Sequence, residues 1–173
     1  MSGHVIDCRI RVVGGIISTD DIIPARYKYV TTDPQQMARH VFENLLPGFA
    51  ATLAEGDALY CPATFGIGSS REQAVSALQA AGVVAVIAPR FGRIFFRNAW
   101  NLGLLALEAG DLDVDEGERV TIDLESGTFS SRGGTRRLNP PAREMLLLRE
   151  AGGLLARVKA RVTASPEGGA SSD

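Results

Sequence analysis

The sequence is poor in the residues that most often hold metals. It contains two cysteines, Cys8 and Cys61, and two histidines, His4 and His40. Both cysteines lie in apolar, strand-like stretches, so we expect buried thiols rather than a disulfide. Two cysteines cannot supply the ligands that an iron–sulfur cluster usually needs, and neither histidine has a metal-ligating neighbour at a suitable spacing. The chain alone is therefore predicted to bind no metal.

Long apolar runs and a strong net charge are also lacking. No stretch approaches the roughly 20 apolar residues of a membrane span, and the first residues do not have the layout of a secretion signal. The formal charge is −2 and the pI is near 5.7, which provides no basic field for nucleic acid. These absences predict a cytoplasmic protein that binds neither membranes nor nucleic acid.

What remains is the composition of an ordinary globular domain. Of 173 residues, 45% are hydrophobic and 22% are charged, which is enough to build one core. We predict a single domain over residues 1–163. Residues 164–173 are mainly serine, glycine and acid with no apolar pattern, so we expect a disordered tail there.

Strand and helix patterns alternate through the chain, which predicts an α/β fold. Strands are expected at residues 5–13, 58–61, 83–88 and 104–107, with a β-hairpin formed by 119–124 and 128–130. Four helices are expected. The first begins at Asp33 and Pro34 and ends before Pro47, the second follows the glycine-rich turn of residues 66–73, the third covers about 91–101, and the fourth runs from Pro141 to Gly152. The continuous apolar run at 83–87 is typical of a strand covered on both faces.

The most informative stretch is residues 66–73, with the sequence GIGSSREQ, which precedes a helical pattern. Its glycines allow a ligand to approach the backbone, and the amides at the start of a helix favour an anion. Arg71 adds a planar fork suited to a carboxylate or phosphate. An equally weighted interpretation is that Ser69 or Ser70 caps the helix, with Glu72 or Gln73 as its complement.

Known nucleotide-binding motifs fit this turn poorly. A dinucleotide fingerprint needs a third glycine where Arg71 stands, and a phosphate-binding P-loop needs a Gly-Lys-Ser/Thr sequence that the chain lacks. The turn is therefore predicted to bind a small carboxylate.

Three segments together resemble one enzyme family. They are residues 17–27 (ISTDDIIPARY), residues 68–72 (GSSRE) and residues 93–99 (RIFFRNA). Their order and spacing are similar to those of the small subunit of 3-isopropylmalate dehydratase, the swivelling-domain member of the aconitase superfamily. The resemblance covers nearly all of residues 5–162. The chain departs from the family pattern at Thr64, at Gln73 and over residues 89–92.

The resemblance implies a swivelling β/β/α domain that closes over a separate large subunit. That partner would hold a [4Fe–4S] cluster, and the two would form a heterodimer or heterotetramer. The implied reaction moves a hydroxyl between adjacent carbons of a malate-type acid, by loss and re-addition of water. The iron would act as a Lewis acid on the departing hydroxyl.

Carried onto this sequence, the family pattern makes Ser69 the base that removes a proton beside a substrate carboxylate. Gly68, Ser70 and Arg71 would hold that carboxylate, and Asp20 would lie near the iron-bound water or its partners on the large subunit. Helix amides and Arg71 are suitable groups to stabilise a serine alkoxide. Without the resemblance, a helix-capping role for Asp20 is about as well supported.

The resemblance places substrate choice in residues 27–30. Tyr27 is expected to bind substrate as part of this loop. Tyr29 and Val30 would offer an apolar wall to an alkyl group, whereas Lys28 would either meet an extra carboxylate or point to solvent. Arg93 and Arg97 are four residues apart and are predicted to share one helix face. This spacing favours a solvated surface stripe over a substrate role, and contact with the large subunit is the other alternative. Phe91, Phe95 and Phe96 are expected to pack in the core and at an interface.

Two other functions stay open. A related small subunit could act on homocitrate-type tricarboxylates, on 2,3-dimethylmalate, or on citraconate and methylmalate. A protein of another class, an anion-binding or regulatory module without chemistry, could use the same glycine-rich turn.

Overall fold

The computed structural model describes residues 4–69 and 71–164. The strands are β1 Val5–Val12, β2 Ile17–Ser18, β3 Asp57–Tyr60, β4 Thr64–Ile67, β5 Val83–Ala88, β6 Arg90–Phe91, β7 Leu105–Glu108, β8 Arg119–Asp123, β9 Thr128–Ser131 and β10 Gly134–Arg137. The helices are α1 Thr19–Ile22, α2 Pro34–Ala38, α3 Glu72–Ala80, α4 Arg93–Leu102, α5 Arg143–Glu150 and α6 Leu154–Ala164. Short 3₁₀ turns cover Ala25–Tyr29 and Ala50–Thr52.

Seven strands form the larger sheet, in the order β10-β9-β8-β1-β3-β5-β7. Strands β1, β3, β5 and β7 run parallel, while β8, β9 and β10 continue as an antiparallel meander from β1. All but one residue of β5 is buried, which confirms the prediction of a strand covered on both faces.

Three short parallel strands form the second sheet, in the order β2-β4-β6. Each of them leads within a few residues into a helix: β2 into α1, β4 into α3, and β6 into α4. Because the carboxyl ends of parallel strands meet at one edge of a sheet, the three helix starts converge there. That edge carries all three segments on which the family resemblance rests.

A cluster of aromatic rings fixes this second sheet on the core. Phe65 of β4 is fully buried and makes edge contacts with Phe42, Phe91 and Phe95, with ring centroids 6.4, 6.3 and 5.1 Å away. Phe96 packs on Phe91 at 5.7 Å. The predicted packing role of Phe91, Phe95 and Phe96 is confirmed for the core.

Several predicted elements are confirmed, namely the strands at residues 5–13 and 83–88 and the hairpin of β8 and β9. The strand predicted at 58–61 is confirmed as β3, Asp57–Tyr60, but it belongs to the larger sheet, and a separate strand beyond Pro62, β4, enters the glycine-rich turn. The helix predicted from Asp33 to before Pro47 is wrong in its extent. Helix α2 starts at Pro34 with Asp33 as its N-cap but ends at Ala38, and the residues after it form turns. The helix predicted at 91–101 is confirmed as α4, but it begins two residues later, at Arg93, because Phe91 of β6 pairs with Phe65 of β4.

Helix α6 was not expected, and it extends to Ala164. Residues 165–173, which make up nearly all of the predicted tail, lie outside the described residues. None of the described helices is long and apolar enough to cross a membrane.

Candidate active site

The glycine-rich turn joins β4 to α3 and presents Ser69 at the surface. Ser69 is exposed, and the N-cap residue of α3 is Arg71, whose own side chain forms no capping hydrogen bond. Capping by Ser69, one of the two interpretations of the sequence, is therefore not observed. Ser70 lies outside the described residues.

Helix α1 brings Asp20 to this turn. Ser18 is its N-cap and forms a capping box with Asp21, whose carboxylate accepts from the Ser18 amide at 2.7 Å. Since Ser18 and Asp21 complete the cap, the Asp20 side chain is not a cap, and its Oδ1 lies 2.5 Å from Nη1 of Arg71. The capping alternative for Asp20 is wrong.

A second contact ties the two segments together through Thr19. Its hydroxyl donates to the backbone carbonyl of Ser69 over 3.1 Å. Thr19 is buried, and its Oγ1 would lie 3.4 Å from a Cβ added to Gly68. The backbone around Ser69 is thus held against α1. Nothing in the sequence motif pointed to Thr19 in this role.

Arg71 is the most enclosed charged group of the turn. Its side chain is 12% exposed, whereas that of Asp20 is 62% exposed. Nη1 also donates to the carbonyl of Ile23 over 3.3 Å. Both contacts use Nη1, so Nε and Nη2 have no partner among the residues that the structure describes. The guanidinium is oriented by α1 and keeps part of its fork open for a carboxylate.

Two glycines place the start of α4 directly beside the turn. Gly66 has a left-handed φ of +82°, and a Cβ there would lie 2.6 Å from Cβ of Phe95. A Cβ on Gly92 would overlap the Gly66 carbonyl, with 2.8 Å to its carbon. Only glycine, which has no Cβ, allows β4 and the first turn of α4 to approach each other this closely.

An open cleft of about 750 Å³ lies along this contact. It is lined by residues at the end of β4, by the glycine after β6 and by the first turns of α4: Gly66, Ile67, Gly68, Gly92, Arg93, Ile94 and Arg97. Arg93 and Arg97 are exposed, as a solvated stripe requires, but they line the same cleft as Gly68, which the sequence did not predict.

Residues 27–30, predicted to choose the substrate, follow α1 in the chain and divide into an anchor and an exposed tip. The Tyr27 ring stacks on His40 at a centroid distance of 4.0 Å, and its hydroxyl donates to Glu43 over 2.5 Å. Glu43 also pairs with Arg26 at 2.7 Å. Tyr27 thus contacts the protein itself and holds the 3₁₀ turn in place.

Tyr29 and Val30 form the exposed tip, with 86% and 74% of their surface accessible. Lys28 is exposed as well; its ammonium lies 5.8 Å from the centre of the Tyr29 ring and borders a shallow cleft with Glu72 and Gln73 at the start of α3. The tip therefore offers apolar surface and one cation to a molecule outside the chain.

Comparison with known proteins gives this geometry a context. Residues 53–111 match the family model described as the aconitase C-terminal domain. The chain is 41% identical to the 3-isopropylmalate dehydratase small subunit of Sulfurimonas denitrificans, over 87% of this chain and 91% of that protein. The chain belongs to the 3-isopropylmalate dehydratase small-subunit family. Its membership confirms the resemblance seen in the three sequence segments.

A solved structure and a second named protein are also similar to this chain. The crystal structure of a 3-isopropylmalate dehydratase from Methanocaldococcus jannaschii matches with a TM-score of 0.86 and 37% identity, over 92% of this chain and 96% of that one. The methanogen homoaconitase small subunit of Methanothermobacter thermautotrophicus is 44% identical, over 87% of this chain and 89% of that protein. The predicted α/β swivelling fold is confirmed.

The donor groups of the described residues do not fit an iron–sulfur cluster. Cys8 and Cys61 are both buried and unpaired, which confirms their predicted state. Burial raises the pKa of Cys8 to about 12, and burial also raises the pKa of Cys61. Within residues 4–69 and 71–164 no three His, Cys, Asp or Glu side chains lie close enough together to hold a metal ion.

Proposed function

We propose that this chain is the small subunit of a 3-isopropylmalate dehydratase, a hydro-lyase that converts 2-isopropylmalate to 3-isopropylmalate in leucine biosynthesis. It acts only when joined to a large subunit. The observation that carries the proposal is the exposed position of Ser69, whose carbonyl is bonded by Thr19 of α1 while Asp20 of the same helix pairs with Arg71, in a chain 41% identical to a named small subunit. The cytoplasmic setting stays a prediction.

Ser69 is proposed to act as the base. Its alkoxide oxygen takes the proton from the carbon beside a substrate carboxylate, and the electrons of that C–H bond form a carbon–carbon double bond. The C–O bond of the neighbouring carbon breaks, and the departing hydroxyl takes one proton from an acidic group of the large subunit and leaves as water. Re-addition of water with exchanged positions gives the isomer. A serine hydroxyl is a weak acid, so its alkoxide needs stabilisation. The guanidinium of Arg71 and the amides at the start of α3 are preorganised donors that can provide it.

Arg71 is also proposed to bind the carboxylate beside the reacting carbon. Its free Nε and Nη2 can form two parallel hydrogen bonds to one carboxylate, while Asp20 and the Ile23 carbonyl fix the plane of the guanidinium. The backbone at Gly68 and the side chain of Ser70 stay predicted contacts of the same carboxylate. Asp20 thus acts on Arg71, in addition to any contact that it makes with the partner.

The large subunit is proposed to complete the site. Ser69, Tyr29 and Val30 are exposed, so the chain alone does not exclude water from the reacting atoms. Lewis-acid chemistry at the departing hydroxyl would come from a [4Fe–4S] cluster on the partner. The present chain contributes the base, the guanidinium that binds the substrate carboxylate, and the apolar tip of the 3₁₀ turn.

A homoaconitase-type activity is the second candidate. The 44% identity to a methanogen homoaconitase small subunit equals or exceeds the 41–43% found for named 3-isopropylmalate dehydratases, so overall identity does not decide between them. Lys28 at the exposed tip provides a cation that a third carboxylate would need. Tyr29 and Val30, which are apolar, favour an alkyl group and hence the first candidate.

The test is reconstitution of this chain with the cluster-loaded large subunit of its own organism, followed by assay of 2-isopropylmalate and homoaconitate. We expect turnover of 2-isopropylmalate. In the Ser69→Ala variant we expect kcat to fall by about a thousandfold or more with little change in substrate affinity, since only the base is removed. Ser76→Ala, a similar change within α3, should keep full activity. Turnover of homoaconitate alone would favour the second candidate, and retained activity in Ser69→Ala would exclude Ser69 as the base.

A further inference from the structure

Helix α4 begins in a segment that is positively charged and contains no acid. Residues 90–102 contain three arginines, Arg90, Arg93 and Arg97, and neither aspartate nor glutamate, although the whole chain has a charge of −2. All three arginines are exposed. Because the net charge of the chain is slightly negative, this segment is a local concentration of positive charge.

The two arginines of α4 differ from several others in the fold in having no counter-ion. Arg9, Arg11, Arg26 and Arg71 each lie within ion-pair distance of a carboxylate. Arg93 and Arg97 have no such partner among the residues that the structure describes. Two guanidinium groups one helical turn apart therefore remain available to a molecule outside the chain.

Exposed apolar side chains lie between and beside these charges. Ile67 is 40% exposed and Ile94 is 37% exposed, and both line the cleft with Arg93 and Arg97. Protein interfaces commonly combine an apolar centre with arginines that reach the partner. The cleft is wide and open, which suits a protruding part of a protein better than a small molecule.

The position of the cleft relative to Ser69 also indicates that a protein partner covers it. Ile67 and Gly68 line the cleft and immediately precede Ser69 in the chain. A partner that brings its cofactor to Ser69 and excludes water must cover the border of the turn, and this cleft forms part of that border. The carboxylate of a substrate already has a more enclosed guanidinium, that of Arg71.

We propose that Arg93, Arg97, Ile67 and Ile94 form a docking surface for the large subunit, and that the partner's matching face carries carboxylates around an apolar protrusion. This inference rests on the proposed function, because it takes the large subunit as the occupant. Pairing across the interface accelerates association and fixes the orientation in which Ser69 meets the partner's reacting groups.

The test compares Arg93→Glu/Arg97→Glu with Arg136→Glu/Arg137→Glu in binding to the large subunit. The control pair is exposed, lies on β10 at the edge of the other sheet, and undergoes the same change of charge. We expect the Kd for the large subunit to rise about 100-fold or more in the first variant and less than about threefold in the control. Added salt should weaken wild-type association more than that of the neutral variant Arg93→Gln/Arg97→Gln.

The outcomes separate this inference from the proposed function. Wild-type binding and turnover with the large subunit test the proposed function without any variant. If the wild type is active while Arg93→Glu/Arg97→Glu binds the large subunit with unchanged Kd, the docking surface is disproved and the function stands. An unchanged Kd with a raised KM for the substrate would also disprove it and would assign the arginines to a substrate carboxylate. The glutamine variant, which adds no negative charge, should itself weaken binding at least about tenfold, and an unchanged Kd there counts equally against the surface.

Discussion

At the scale of single residues, the site depends on the guanidinium of Arg71, whose ion-pair partner is much more exposed to solvent than the guanidinium itself. Arg71 is nearly enclosed, whereas the carboxylate that pairs with it is 62% exposed. Ion pairs with one exposed member contribute little to stability, because water competes for the charge. The contact between Asp20 and Arg71 is therefore better explained by orientation of the fork than by folding energy.

This argument gives a prediction for Asp20→Asn. The change should alter the free energy of unfolding by less than about 1 kcal/mol, since the guanidinium keeps its bond to the Ile23 carbonyl. It should lower kcat/KM of the assembled enzyme by about tenfold or more, because the fork loses the charge that orients it. Urea unfolding and steady-state kinetics measure the two effects.

The matched control for this change is Asp33→Asn. Asp33 is exposed and caps α2, and asparagine is as good an N-cap as aspartate. Both the stability and the activity of this variant should stay near those of the wild type. A loss of stability in Asp20→Asn in proportion to its loss of activity would show that the ion pair has a structural role instead.

At the scale of elements, the site is made by three strand-to-helix turns that meet at one edge of the small sheet. The closest approach is between β4 and the first turn of α4, where the backbone of Gly66 faces Gly92. Any side chain at Gly92 would separate the two and shift the cleft beside Ser69. Stability and site geometry are therefore coupled at this contact.

We predict that Gly92→Ala lowers the free energy of unfolding by at least about 1 kcal/mol, since forcing extra atoms into a packed contact usually costs about 1–3 kcal/mol. Gly14→Ala is the control, since a Cβ there meets nothing within 4 Å and neither glycine has a positive φ. The control should be neutral or slightly stabilising, because alanine restricts the unfolded chain. Equal effects in denaturant titrations of both variants would refute the steric explanation.

The sequence predicted most of the elements and the members of the site, but not how they touch. Patterns of apolar residues predicted β1, β5 and the hairpin, because burial on one or both faces leaves a local signal. The split between β3 and β4 was not predicted, since two short strands in different sheets have the same local pattern as one. The contact of Thr19 with Ser69 and the stacking of Tyr27 on His40 join distant residues, so no local spacing could indicate them.

At the scale of the whole molecule, a second group of charges lies away from the site, within the larger sheet. Asp57 at the start of β3 accepts hydrogen bonds from Arg9 at 2.7 and 2.8 Å and from the Ala54 amide at 2.8 Å, and it lies 3.4 Å from Arg11. Asp57 is 1% and Arg11 is 7% exposed. This group joins β1 to β3 and serves the fold, whereas the exposed charges at the edge of the small sheet serve the site.

Removing the buried carboxylate should destabilise the fold without touching the site. We predict that Asp57→Asn lowers the free energy of unfolding at pH 7 by about 3 kcal/mol, because the enclosed Arg11 and its neighbour Arg9 lose their shared counter-charge. At temperatures where the variant remains folded, its kcat and its Kd for the large subunit should match the wild type. Asp111→Asn, at an exposed position, controls for the loss of one negative charge.

The same carboxylate predicts how stability depends on acid. Burial by itself would raise the pKa of Asp57, but the hydrogen bonds from Arg9 and the Ala54 amide and the charge of Arg11 outweigh it and hold that pKa below its usual value. A carboxyl with a lowered pKa in the folded state stabilises the fold above its unfolded pKa of about 3.9, and that contribution is lost as the pH falls through the folded value. The stability difference between wild type and Asp57→Asn should therefore be constant from pH 7 to about 5 and shrink steadily below pH 4. Urea titrations at a series of pH values measure this, and a difference that stays constant down to pH 2.5 would show that Asp57 is not held ionised by these contacts.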